Sequence, residues 1–239
     1  MTDYERMERD LMVQLSLKHR PVAVTALKAA PPGVEKFEGL QPSGCSFWRI
    51  ASQGRTFYTV GADHYNCPIG SHTHNIPLPP ERAHELADTL GFMTGIGYIR
   101  MEEVPSIPRL ARTPGVVLYA PLAKTPVDPD VVLFWGPPGR VMLLQEAANR
   151  SGVAAPLNTL GRPTCMVVPA ALEHGVVASA GCVGNRVYTG LEESDLYIAV
   201  PGRDLLKVAG EIATITMANN TLLMYHQDRK RQLGGAQSV

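Results

Sequence analysis

Val131-Val132-Leu133-Phe134-Trp135-Gly136-Pro137-Pro138 is an uninterrupted apolar run closed by a glycine and two prolines. Val116-Val117-Leu118-Tyr119-Ala120-Pro121 repeats the device fifteen residues earlier. Short, continuous apolar runs rich in β-branched and aromatic residues read as strands covered on both faces. Two runs of one pattern predict neighbouring strands in one sheet, although they are too short to argue for internal duplication. Helical periodicity surrounds them. Residues 4–18 place Met7, Leu11, Met12 and Leu15 at a spacing near 3.6 among charges. Glu81 to Leu90 reads as a helix stopped by Gly91, and Pro138 to Asn149 as another. Arg203 to Leu223 closes the chain as a long helix, with Leu206, Val208 and Ile212 on one side. Further strands are expected at Val22–Leu27, Arg55–Val60 and Leu196–Pro201. Together these predict an α/β (or α+β) fold, a single mixed sheet with flanking helices, over one domain of residues 1–239.

Composition narrows the classes of function. The 239 residues are 45% hydrophobic and 18% charged, and Lys+Arg and Asp+Glu balance at 22 each. No net charge draws the chain to nucleic acid or anionic lipid. The Arg229-Lys230-Arg231 cluster reads as a solvated helix end. No apolar run reaches the roughly 18 residues of a membrane span, and the charged N-terminus lacks the apolar core of a signal peptide. A cytoplasmic protein with reduced thiols is therefore expected.

Four cysteines carry the chemistry. Cys182 lies in Val177-Ala178-Ser179-Ala180-Gly181-Cys182-Val183-Gly184-Asn185-Arg186-Val187-Tyr188, between glycines that allow a sharp turn and close approach to a bound group. Arg186, four residues on, is placed to lower the thiol pKa or to clamp an anion, the plainer reading being a surface arginine on a strand. Cys45 follows Gly44 at an expected helix start, where unpaired amide N–H groups favour a thiolate. Cys67 precedes Pro68-Ile69-Gly70, and Cys165 lies between Pro163 and Pro169. No C-x-x-C pair occurs, so convergence of the thiols from separate loops would have to build any shared site. Soft thiolate ligands select iron–sulfur clusters or zinc. His64, His72 and His74 beside Cys67 form a second, mixed candidate, in a segment (Asp63 to His74) that reads as a loop leaving a strand. Motifs for nucleoside triphosphate binding (G-x-x-x-x-G-K-[ST]), zinc hydrolysis (H-E-x-x-H) and serine hydrolysis (G-x-S-x-G) are missing. Glu102-Glu103 and Glu192-Glu193 read as charged loop positions.

Several segments fall together at this point. Pro21-Val22-Ala23-Val24, Cys45 opening a helix, Asp63-His64-Tyr65-Asn66-Cys67-Pro68-Ile69-Gly70, Val117 to Pro121, Pro129-Asp130-Val131-Val132 and Gly181 to Tyr188 resemble the prokaryotic family known as domain of unknown function 169. The likeness spans roughly residues 8–225. It implies a bacterial or archaeal cytoplasmic protein with its cysteines at family-typical places, and it supplies no activity. Asn185 stands where an acidic or amide residue is expected in relatives.

The expected function is thus an iron–sulfur protein with a redox or electron-transfer role, holding a [4Fe-4S] cluster through Cys45, Cys67, Cys165 and Cys182. Gly181, Gly184, Asn185 and Arg186 would bind the cofactor, Arg186 and the glycine N–H groups tuning its charge, and a redox partner or small molecule would meet it. The alternatives are a metal-free small-anion-binding protein or cysteine-dependent enzyme using the 181–186 turn, and a structural zinc site in an interaction module.

Overall fold

The computed structural model describes residues 3–155 and 159–233. Helix α1 (Tyr4–Gln14) starts where the Asp3 carboxylate accepts the Arg6 N–H at 2.9 Å, a cap for a donor with no partner inside the helix. It is tied down at buried Glu8, whose carboxylate accepts the Ala123 N–H at 2.8 Å. Next come β1 (Val22–Leu27), α2 (Gly44–Ser52), β2 (Phe57–Thr59), α3 (Pro68–Thr73) and α4 (Glu85–Gly95). They are followed by β3 (Val116–Pro121), β4 (Val131–Gly136), α5 (Pro138–Arg150), β5 (Thr159–Leu160) and α6 (Val167–His174). The chain continues through β6 (Val177–Ser179), α7 (Val183–Thr189), β7 (Leu196–Pro201) and α8 (Gly202–Gln232).

Among the described residues the strands form one seven-stranded sheet in the order β2-β3-β1-β4-β7-β6-β5. Every pairing is antiparallel except β5 with β6, so the sheet is mixed and flanked by helices, as the sequence predicts. One neighbour relation differs. β3 and β4 do not pair; β1 lies between them, with Val22 opposite Pro121 on one side and Leu133 on the other. The apolar runs correctly report that both strands are buried along their whole length. Burial on two faces says nothing about which edge meets which partner.

Alternation along the central strands divides the core. Tyr119, Leu133, Trp135 and Tyr197 face α2 and α6, where Phe47, Trp48, Val167 and Ala171 pack on them. Val132, Phe134, Ile198 and Val200 face the opposite way, against Leu11 of α1, Leu144 of α5 and Leu205, Val208 and Ile212 of α8. Leu205 rather than Leu206 takes the core position on α8, and Leu206 points to solvent. α8 also runs on to Gln232, with Arg229, Lys230 and Arg231 in its last turn, at the negative end of the helix dipole. α4 differs in the same manner. It begins at Glu85 after a 3₁₀ turn at Pro80–Arg82 and continues through Gly91 to Gly95. Arg82 fixes that start by donating from Nε and Nη2 to the two Glu85 carboxylate oxygens, at 2.6 and 2.8 Å. At the β7–α8 junction the Gly202 N–H donates to the Asp130 carbonyl at 2.7 Å, and a Cβ on Gly202 would overlap the Pro129 carbonyl.

Candidate functional site

The Val177–Tyr188 stretch is a strand, a turn and a helix. β6 ends at Ser179, Gly181 takes φ +78°, and Cys182 is the cap residue of α7. Gly181 is required here: a Cβ would come within 2.7 Å of Leu191 Cδ2 and 3.1 Å of Asn185 Oδ1. Arg186 therefore sits on a helix, not a strand. Its guanidinium donates to the carbonyls of Ala180, Glu192 (2.7 Å) and Asp195 (3.4 Å), closing the loop that follows α7. Asn185 is buried, and its Nδ2 donates to Tyr197 Oη at 3.4 Å.

The histidine-rich segment, expected to be a loop, is a 3₁₀ turn (Gly61–His64) followed by α3. Pro68 at the first position of α3 suits a helix start, where its missing N–H is no loss. The Cys67 Sγ caps this helix by accepting the Gly70 N–H at 3.3 Å. His64 and His74 are both buried, with ring centroids 5.6 Å apart, while His72 is half-buried beside Arg109. His64 pairs with Thr59 Oγ1 at 2.8 Å, and His74 Nδ1 with the Gly70 carbonyl at 3.0 Å.

All four cysteines line one cavity of about 830 Å³. Cys45 and Cys165 are buried in the apolar core, whereas Cys67 and Cys182 are half-buried, and all four are free thiols. The expected metal centre does not follow. Among the described residues, no three His, Cys, Asp or Glu side chains come together in a way that could hold a metal ion. The thiols stand on separate elements around a large space: α2, the cap of α3, the 3₁₀ turn Thr164–Met166 and the cap of α7. The [4Fe-4S] reading of Cys45, Cys67, Cys165 and Cys182, with its redox role, is therefore corrected. The zinc alternative and the histidine-containing site fall with it. The electrostatics of the thiols also differ from expectation. Burial pushes the Cys45 thiol well up, with Cys165, Cys67 and Cys182 adding to the effect. Burial likewise raises Cys165 and Cys67, although the Gly70 and Gly44 amides oppose it at Cys67. Desolvation outweighs the helix start at Cys45, so the thiol, not the thiolate, is the resting form of these three groups.

The cavity walls are mainly apolar. Leu90 and Met93 of α4, Ile99 and Val104 beyond it, and Ala170 of α6 provide much of the surface, and Val183 and Tyr188 of α7 complete the opposite side. The Arg162 guanidinium, 5.1 Å from the Tyr98 ring centroid, stands on the lining beside Glu103. Reading α4 as ending at Gly91 hid half of this wall. The signal was available in Leu86, Leu90 and Met93, whose i, i+4, i+7 spacing runs through the glycine.

Residues 10–211 match the profile of the family DUF169, described as "Uncharacterised ArCR". No curated protein and no solved structure matches the chain. No helix among the described residues is long and apolar enough to cross a membrane.

Proposed function

Because the chain belongs to the DUF169 family, whose description names no activity, we propose a function from its cavity: it binds a predominantly apolar small molecule. The observation that carries this reading is the cavity itself, about 830 Å³ with mainly apolar walls and a few polar groups. That volume lies within the roughly 300–1,000 Å³ of small-molecule sites, which share this lining. Neutral thiols suit such a wall. A protonated cysteine behaves as a small, polarisable hydrophobe with a weak donor, so Cys45 and Cys165 add apolar surface rather than charge. Four free thiols are compatible with a reducing compartment, which supports work in the cytoplasm.

The test is titration with N-phenyl-1-naphthylamine, whose fluorescence rises in apolar surroundings. The wild type is expected to bind it at one saturable site. Met93→Asp, which puts a carboxylate on the apolar wall, should weaken binding at least tenfold, whereas Val13→Asp on the exposed face of α1 should leave it unchanged. Lack of saturable binding by the wild type would refute the proposal.

A further inference from the structure

Resting on that reading, we infer that the ligand is an uncharged aromatic molecule, its ring system held against sulfur-bearing walls. Six residues that line the cavity carry sulfur: Cys45, Cys67, Met93, Cys165, Met166 and Cys182. Nearly half of the chain's four cysteines and nine methionines thus gather around one space. They come from α2, α4, the caps of α3 and α7, and the 3₁₀ turn Thr164–Met166, so the packing of no single element accounts for them. Phe92 of α4 and Tyr188 of α7 line the same cavity, and both are exposed.

Sulfur and charge select the same class of molecule. Thioether and thiol sulfurs are polarisable and make favourable contacts with the edges of aromatic rings. A thiol S–H is also a weak donor, which a π-face can accept and a saturated chain cannot. Phe92 and Tyr188 offer a ring stacked or edge-to-face partners. Among the described residues, the charges at the lining are balanced and already paired. Arg162 Nη2 donates to Glu103 Oε2 at 3.1 Å, and its guanidinium lies 5.1 Å from the Tyr98 ring centroid. Arg100 Nε donates to Glu103 Oε1 at 2.9 Å, and the neighbouring Glu102 makes two carboxylates for two guanidinium groups. His174 Nε2 lies 3.6 Å from Glu173 Oε2. An ionised ligand would therefore give up its hydration without gaining an opposite charge. At about 30 Å³ per water-sized group, 830 Å³ accommodates at most about 28 non-hydrogen atoms, so a fused-ring system fits.

The experiment is isothermal titration calorimetry of the full chain at pH 7.5 with three ligands. 2-Naphthol and decahydro-2-naphthol share a carbon skeleton and a hydroxyl and differ in the π-system, while sodium 2-naphthoate keeps the rings and adds a charge. Wild type is expected to bind 2-naphthol at least fivefold more tightly than decahydro-2-naphthol and at least tenfold more tightly than 2-naphthoate. Met93→Leu combined with Met166→Leu replaces sulfur by carbon at similar volume, and should at least halve the preference for 2-naphthol over its saturated counterpart. Met217→Leu, on the exposed side of α8, should leave that preference intact. The wild-type ratios decide the matter even if the double variant does not fold. Failure of the wild type to bind 2-naphthol, equal or tighter binding of either other ligand, or an undiminished preference in a folded double variant would overturn the aromatic assignment and leave the cavity reading standing. Failure of the wild type to bind N-phenyl-1-naphthylamine would overturn both.

Discussion

Acidification below pH 6.5 should destabilise the protein through His64. Thr59 Oγ1 donates to the Val117 carbonyl at 3.3 Å, so it accepts from His64 Nε2–H at 2.8 Å, and Nδ1 is left as a bare lone pair with no partner. The ring is buried, 5.2 Å from Phe47 and 5.6 Å from His74 between centroids. Burial, and then His74, lowers the His64 pKa from 6.5 to about 3. Between these values the unfolded chain holds a proton that the folded one refuses. The stabilisation is therefore complete above pH 6.5 and is lost progressively as pH falls toward 3. From pH 7.5 to 5.0, such a shift removes about 2 kcal/mol, a sizeable share of a typical folding free energy. His74, His19 and His72 are also lowered, first of all by burial, and add losses of the same sign. Urea unfolding followed by the fluorescence of buried Trp48 and Trp135 measures the loss at each pH. In His64→Gln, which can keep a bond to Thr59, the loss between pH 7.5 and 5.0 should be about 2 kcal/mol smaller than in the wild type. Equal losses in the two proteins would refute the reasoning.

Two further substitutions probe the packing of the sheet and its connections. Tyr119→Phe removes a fully buried hydroxyl that has no hydrogen-bond partner, so it should raise stability by about 1 kcal/mol and the Tm by about 2–4 °C in thermal unfolding. A loss of stability would show that the hydroxyl is satisfied. Gly202→Ala should destabilise by about 2 kcal/mol or more in urea unfolding, because the new Cβ would overlap the Pro129 carbonyl and force the β7–α8 junction apart.

Much of the sheet was legible because its strands announce themselves locally. Val22–Leu27 and Leu196–Pro201 are strands over the predicted residues, and the apolar runs at Val116 and Val131 form two more. Their order was not legible, since the insertion of β1 between β3 and β4 depends on tertiary pairing rather than on either strand's own pattern. Glycine and proline misled in both directions. Gly91 did not stop α4, and Pro68 opened α3 in what reads as a loop. The cysteines come to one cavity, although not as the metal ligands expected of them. Their spacing carried no information about how wide that cavity is or how apolar its other walls are. Cys45 illustrates the limit. Its place at a helix start is visible in the sequence, but the burial that outweighs the helix start comes from Cys165 and the rest of the core, far away along the chain.

The most direct test of the cavity as a ligand site is protection of its accessible thiols. Cys67 and Cys182 are half-buried on the lining, so their alkylation by N-ethylmaleimide can be followed residue by residue by mass spectrometry. With N-phenyl-1-naphthylamine at saturation, modification of both should slow at least fivefold. Unchanged rates at Cys67 and Cys182, under conditions where the fluorophore is bound, would place the ligand elsewhere and contradict the account.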